Sequence, residues 1–368
     1  MIIPQKFILF FLLLIPVFSF SQNTNDCSAV TISSATNTGP NTVATYLESD
    51  GIRDGNDYYG STIYYPENTT GVLASILIIP GYVNLESSIQ NWGPFLASHG
   101  IVCMTIGTNS TFELVNARKE ALQDALISLK GENNRINSPL FNKLDTNRIA
   151  LGGWSMGGGG AQLVGVEDST IKAIIALCPW IDPLLINNNM LNHAIPILFF
   201  SGQIDAVAPP SSHANVQYGY TPNTTDKLLY EIFLGGHTIA NSPSGGQGEV
   251  GRMALSWLKK YLINDSCYCP LLLDTPITAS GYETNITCPS TTAIIDNATQ
   301  LLLYPNPSNT NLIVTNLFSE NKEYTIIGLD GRLIKKTKLC TDEINISFLK
   351  NGIYFLGYNG KKYKFVKN

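Results

Sequence analysis

The chain has 368 residues, 44% of them hydrophobic and 14% charged, with a formal net charge of −5 at pH 7. That length can hold one large domain with something small beside it. The charge is uneven: residues 22–298 carry 12 Lys and Arg against 23 Asp and Glu, while 299–368 carry 10 against 5, so the larger part is a poor candidate for nucleic-acid binding.

The first segment reads as an export signal rather than as part of a fold. Lys6 precedes an apolar run from Phe7 to Ile15, and a small and polar stretch ends near Ser21 and Gln22. The pattern predicts a secretory signal peptide over residues 1–21, because the run is shorter than the ~20 residues of a membrane-spanning helix. From about Val43 to Leu262, strand-like and helix-like patterns alternate. Strands are predicted at Ser61–Tyr65, Leu73–Ile79, Ile101–Ile106, Ile149–Gly152, Ile171–Cys178, Ile197–Ser201 and Leu228–Leu234. Helices are predicted at Trp92–Ser98, Asn116–Leu129, after Gly160, and at Val250–Leu262. Such alternation predicts a mostly parallel sheet covered on both faces, with sites gathered at the carboxyl ends of the strands. The main domain is placed at 22–268. Residues 269–300, rich in Pro, Thr, Asn and Ser, read as a linker. Residues 301–368 show short alternating strands with turns at Asp330-Gly331 and Asn351-Gly352, which fits a small β-sandwich.

Cysteine usage adds to the picture of an exported chain. Cys103 and Cys178 lie in apolar strand patterns and read as buried thiols. Cys27, Cys267, Cys269 and Cys288 flank the main domain and could form two bridges, with Cys288 taking Cys267 or Cys269 and Cys27 taking the other. No His or Cys cluster suggests a metal site, and no nucleotide fingerprint appears, so no cofactor is expected.

The chemistry begins at Gly153-Trp154-Ser155-Met156-Gly157, a G-x-S-x-G followed by Gly158, Gly159 and Gly160. A strand pattern enters it and a helix pattern leaves it, as a nucleophile elbow requires. A serine hydroxyl needs a base to take its proton. Of the four histidines, His237 follows a strand on Gly235-Gly236 and is the best base. His99, His193 and His213 read as surface or packing residues. The acid that would orient the imidazole is Asp205, one strand before His237, with Asp182 as the alternative. Serine, acid, histidine is the chain order of α/β-hydrolases. An oxyanion needs two preset N–H donors. Met156 supplies one, and Tyr82, in Pro80-Gly81-Tyr82 after the Leu73–Ile79 strand, supplies the other.

These residues carry a resemblance. Ile79-Pro80-Gly81-Tyr82, Trp92-Gly93-Pro94, Leu96 to Gly100, Thr108 to Thr111, Gly153 to Gly160, Pro179-Trp180, Asp205 to Pro209 and Gly235-Gly236-His237 resemble the bacterial cutinase and polyethylene terephthalate (PET) hydrolase family. The resemblance implies the triad Ser155, Asp205 and His237, and oxyanion amides at Tyr82 and Met156. It also implies an aromatic clamp of Tyr82 and Trp180 with Val207 as its apolar wall. It implies a secreted monomer cleaving polyesters and small acyl esters through an acyl-enzyme. Readings kept beside it are a lipase- or acetylhydrolase-type esterase on small esters only, and a non-catalytic surface-binding protein. Gly202 and Ile239 stand where the best-known PET hydrolase pattern would put a second bridge. Trp154 and Thr238 look like the PET-preferring branch, and His213 like ordinary cutinases. Leu303-Tyr304-Pro305-Asn306-Pro307, Gly331-Arg332, Leu349 to Tyr354 and the basic end resemble the sorting domain of type IX secretion in Bacteroidota, implying that machinery as a partner.

Overall fold

The computed structural model describes residues 27–288, 302–315, 323–329, 331–338, 343–358 and 361–368. The expected signal peptide and Asp330 lie outside the described residues. The chain divides after Pro289 into two compact units.

The first unit is built on one nine-stranded sheet. In chain order its elements are α1 (Ile32–Thr36), β1 (Val43–Leu47), β2 (Ser61–Pro66), β3 (Leu73–Ile79), α2 (Trp92–Ser98), β4 (Val102–Ile106), α3 (Val115–Glu132) and β5 (Leu144–Trp154). They continue with α4 (Met156–Glu167), β6 (Ala173–Leu177), β7 (Ile197–Gly202), α5 (Ala214–Tyr220), β8 (Lys227–Ile232), α6 (Glu249–Tyr261), α7 (Cys269–Leu273) and β9 (Ala279–Thr284). The strand order is β1-β2-β4-β3-β5-β6-β7-β8-β9. The run from β4 to β8 is parallel, and β1, β2 and β9 join antiparallel at the edges. This is the mostly parallel sheet expected from the alternating pattern, in the α/β-hydrolase architecture that the resemblance implies.

The central strands read as continuous apolar runs because both faces are covered. Along β3, Ile76 and Ile78 pack with Trp92, Leu96 and Trp257 of α2 and α6 on one face. Leu77 and Ile79 pack with Ala121, Leu122 and Val164 of α3 and α4 on the other. Period-two alternation thus feeds two cores from one strand.

Two expectations need correction. The linker does not begin at Cys269: residues from there form α7 and then β9, which pairs antiparallel with β8 from Leu228 to Ile232. The Pro- and Thr-rich composition reads as linker because β9 is an edge strand with no fully buried position, so it lacks the apolar signature of the centre. The catalytic unit therefore runs past 268. Residues 289–301 lie outside the described residues. The second correction is that α1, β1 and α5, short elements without a strong period, were not legible as separate elements.

The cysteine alternatives resolve to Cys27–Cys267 and Cys269–Cys288, with Cys103 and Cys178 buried and unbridged. The first bridge closes a loop of 240 residues, and a cross-link over a long loop removes much entropy from the unfolded chain. A Cys27→Ser/Cys267→Ser double variant should therefore lose about 2–5 kcal/mol and melt roughly 5–15 °C lower. A melting temperature within about 2 °C of wild type would show that this bridge does not constrain the unfolded chain.

The second unit is all β. β10 (Leu302–Tyr304), β11 (Asn311–Thr315) and β14 (Glu343–Asn345) make one antiparallel sheet. β12 (Glu323–Gly328), β13 (Leu333–Lys338), β15 (Gly352–Tyr358) and β16 (Lys361–Lys367) make another. Leu312, Val314 and Ile344 of the first sheet share one core with Ile326, Leu356 and Phe365 of the second. That is the expected small sandwich, and the lysine-rich β16 is an edge strand. No described helix of the chain is long and apolar enough to cross a membrane.

Candidate active site

Strand register assembles the site. β3 pairs with β5 so that Ile79 lies opposite Gly153. Trp154 lies opposite Leu177 of β6, and Gly202 of β7 opposite Ile232 of β8. Parallel pairing therefore brings the loops that follow β3, β5, β6, β7 and β8 to one edge, where Tyr82, Ser155, Met156, Trp180, Asp205, Val207 and His237 sit.

Ser155 stands between β5 and α4 with φ 55° and ψ −122°, a sparsely populated conformation that costs about 1–3 kcal/mol. The surroundings hold it. Its N–H donates to the Leu177 carbonyl at 2.8 Å, and its carbonyl accepts from Trp180 N–H at 2.9 Å. The elbow glycines are there for close approach. A Cβ on Gly153 would lie 2.2 Å from the Gly157 carbonyl carbon, and one on Gly81 would lie 2.7 Å from the Ser155 Cβ.

His237 Nε2 is 2.9 Å from Ser155 Oγ, and its Nδ1 is 2.7 Å from Asp205 Oδ2. The Asp205 side chain is 0% exposed and that of His237 14%. Asp205 Oδ1 accepts the N–H groups of Val207 and Ala208, both at 2.8 Å. Burial alone would raise the Asp205 carboxyl, but these hydrogen bonds, led by that from His237, outweigh it and hold it below its ordinary value. It is thus ionised at neutral pH and fixes Nδ1 as the protonated nitrogen, leaving Nε2 to accept the Ser155 proton. The backbone of His237 is also tied, since Trp154 Nε1 donates to its carbonyl at 2.9 Å. Asp182 is engaged elsewhere: its Oδ1 accepts Leu184 N–H at 2.9 Å and caps its own turn.

The other histidines are buried. Burial pushes His193 down to about 4. His99 Nε2 donates to the Asn37 carbonyl at 2.9 Å. His213 lies behind Trp180, the ring centroids 5.7 Å apart. The expected packing role describes all three, though none is at the surface.

Met156 opens α4, so its N–H has no intrahelical partner. Tyr82 is 38% exposed, Val207 is 59% exposed, and Trp180 is half-buried. Phe112, which sequence reasoning did not single out, packs edge-on against Tyr82 with centroids 5.9 Å apart. No periodic signal marks it, because it lies in a loop. Gly202 explains a departure noted above. A Cβ there would lie 2.4 Å from the Gly235 carbonyl oxygen and 2.6 Å from that of Gly236, so a cysteine could enter only by displacing the loop that carries His237. Among the described residues, no group of three or more His, Cys, Asp or Glu is placed to hold a metal ion.

An α/β-hydrolase sheet with a serine, a histidine and a carboxylate in one hydrogen-bonded line defines the class. Comparison with known proteins carries this further. A family model described as PET hydrolase-like matches residues 22–289, and the chain belongs to that family. It is similar to cutinase 1 of Thermobifida cellulosilytica, 34% identical over 235 residues, which cover 62% of this chain and 85% of the relative. It is equally similar, at 34% over 235 residues, to cutinase est1 of Thermobifida alba, covering 62% of this chain and 75% of that protein. A bis(hydroxyethyl) terephthalate hydrolase of Streptomyces coelicolor is 33% identical over 217 residues, covering 58% and 66%. Residues 302–368 match a secretion system C-terminal sorting domain. The protein is secreted.

Proposed function

We propose that the protein is a serine carboxylic ester hydrolase that cleaves polyesters and short acyl esters through an acyl-enzyme. The observation that carries this reading is the unbroken line from Ser155 Oγ through His237 to Asp205, at 2.9 and 2.7 Å. In the proposed course, Ser155 Oγ attacks the ester carbonyl as His237 Nε2 takes its proton, and Asp205 stabilises the imidazolium. The amides of Tyr82 and Met156 receive the oxyanion. Collapse expels the alkoxide, which takes the proton from His237 and leaves an ester on Ser155. Water, deprotonated by His237, attacks that ester, and the carboxylic acid leaves as Oγ regains the proton.

The cutinases and the terephthalate-ester hydrolase among the relatives favour a polyester substrate. The exposed ring of Tyr82, the half-buried ring of Trp180 and the apolar Val207 suit an aromatic diester, since ring contacts add ~0.5–1.5 kcal/mol each beyond area burial. The test is soluble product release from amorphous PET film beside hydrolysis of p-nitrophenyl butyrate. A protein with no turnover of either ester would be a surface-binding protein on a hydrolase fold. Trp180→Ala should lower release of terephthalate products several-fold more than butyrate hydrolysis, because a polymer segment needs positioning that a small ester does not. Equal losses on both would assign Trp180 to the fold instead.

A further inference from the structure

Arg118, on the first turn of α3, is 0% exposed. Among the described residues no carboxylate lies within ion-pair distance of it. Glu113 acts on it only from farther away, and burial lowers its pKa to about 10. A buried cation without a partner is expensive, and a methionine could occupy similar volume without that cost. What the guanidinium alone supplies is a fork of directed N–H donors. Nη1 donates to the Pro80 carbonyl at 2.9 Å and Nη2 to the Thr111 carbonyl at 3.2 Å. The Thr111 carbonyl also accepts Val83 N–H, at 2.7 Å. Tyr82 therefore sits between Pro80, bonded directly to this side chain, and Val83, which shares the Thr111 carbonyl with it.

Both ties bear on a constrained segment. Val83 has φ 61°, the left-handed region that a β-branched residue avoids unless its surroundings impose it. The Pro80 carbonyl is also approached closely by α4, where a Cβ on Gly157 would lie 2.6 Å from its oxygen. A Cβ on Gly160 would likewise meet the Arg118 Cβ at 3.2 Å. The glycine run after Ser155 thus lets α4 press on both the Pro80 loop and the base of Arg118.

We propose that Arg118 is a positioning residue for the oxyanion loop, holding the Pro80 carbonyl and through it the neighbouring peptide that presents Tyr82 N–H to the reacting carbonyl oxygen. The proposal rests on the reading of Ser155 and Tyr82 given above. Without the guanidinium, the Pro80 carbonyl and the Thr111 carbonyl each lose a donor, and the Gly81–Tyr82 peptide, whose own carbonyl accepts Asn84 N–H at 3.3 Å, loses its anchor on the preceding residue. Since that N–H matters most where negative charge develops, the loss should fall on kcat rather than on KM.

The experiment compares wild type, Arg118→Met, Arg118→Lys and Ser155→Ala on p-nitrophenyl butyrate. Circular dichroism and melting report the fold, and inhibition by phenylboronic acid reports a tetrahedral adduct on Ser155. Arg118→Met should fold, lose about tenfold to hundredfold in kcat with KM within a factor of about three, and bind phenylboronic acid more weakly by a similar factor. Arg118→Lys, with one donor point in place of a fork, should recover part of both losses. A folded Arg118→Met with kcat within about threefold of wild type, or a loss confined to KM, overturns the proposal. If Arg118→Met does not fold, Arg118→Lys decides by the same criteria. If neither folds, Arg118 is a structural residue and the proposal falls. Activity that survives Ser155→Ala would instead overturn the underlying nucleophile assignment, an outcome distinct from any behaviour of Arg118.

Discussion

Ser155→Ala is expected to lower kcat on p-nitrophenyl butyrate by about 10⁵–10⁶-fold while leaving the melting temperature close to wild type. The hydroxyl is the atom that would bond to the acyl carbon, so its loss removes covalent catalysis and leaves only oxyanion stabilisation and binding. The fold should tolerate the change. Alanine fits inside serine, and the unusual Ser155 backbone is fixed by main-chain bonds to Leu177 and Trp180 that a side-chain change does not touch. An alanine variant retaining a tenth of wild-type turnover would remove Ser155 from the mechanism.

Asp205→Asn is expected to lower kcat by about 10⁴-fold. The carboxylate accepts three N–H groups, from His237, Val207 and Ala208. An asparagine keeping its oxygen toward the two amides must turn its NH₂ toward His237 Nδ1. Nδ1 would then have to accept, Nε2 would carry the proton, and the imidazole could no longer take one from Ser155. Asp182→Asn serves as the comparison. Its oxygen caps a local turn at Leu184, and asparagine can accept the same bond, so turnover should stay within a factor of about two. If Asp182→Asn showed the large loss and Asp205→Asn did not, the acid would have to be reassigned.

Much of this site was legible in the chain because its signals are local. The G-x-S-x-G with a strand pattern before and a helix pattern after it states its own geometry: glycines are needed wherever backbone must touch backbone. The order Ser155, Asp205, His237 is also readable, since each follows a strand run in a sheet whose strand ends share one edge. The strongly apolar central strands announced themselves through burial on both faces. The edge did not, because β9 from Ala279 to Thr284 has half-exposed polar positions and composition alone made it a linker.

The sequence by itself determined the class of fold, the division into a hydrolase unit and a small β unit, the elbow serine and the set of cysteines outside the sheet. These depend on periodicity, turn chemistry and residue type, which act over a few neighbours. The tertiary structure alone decided which cysteine meets which and what Arg118 holds, and it set Asp205, preferred from chain order, rather than the alternative Asp182 against His237. Asp205 and Asp182 both follow strands; register and loop path turn one toward the imidazole and the other into its own turn. Cys267 and Cys269 are two residues apart, and only the folded positions of Cys27 and Cys288 distinguish them. Arg118 reads as an ordinary basic residue on a helix, because the Pro80 carbonyl, one of the two it satisfies, is 38 residues away in the chain and comes near it only once β3 and α3 have packed.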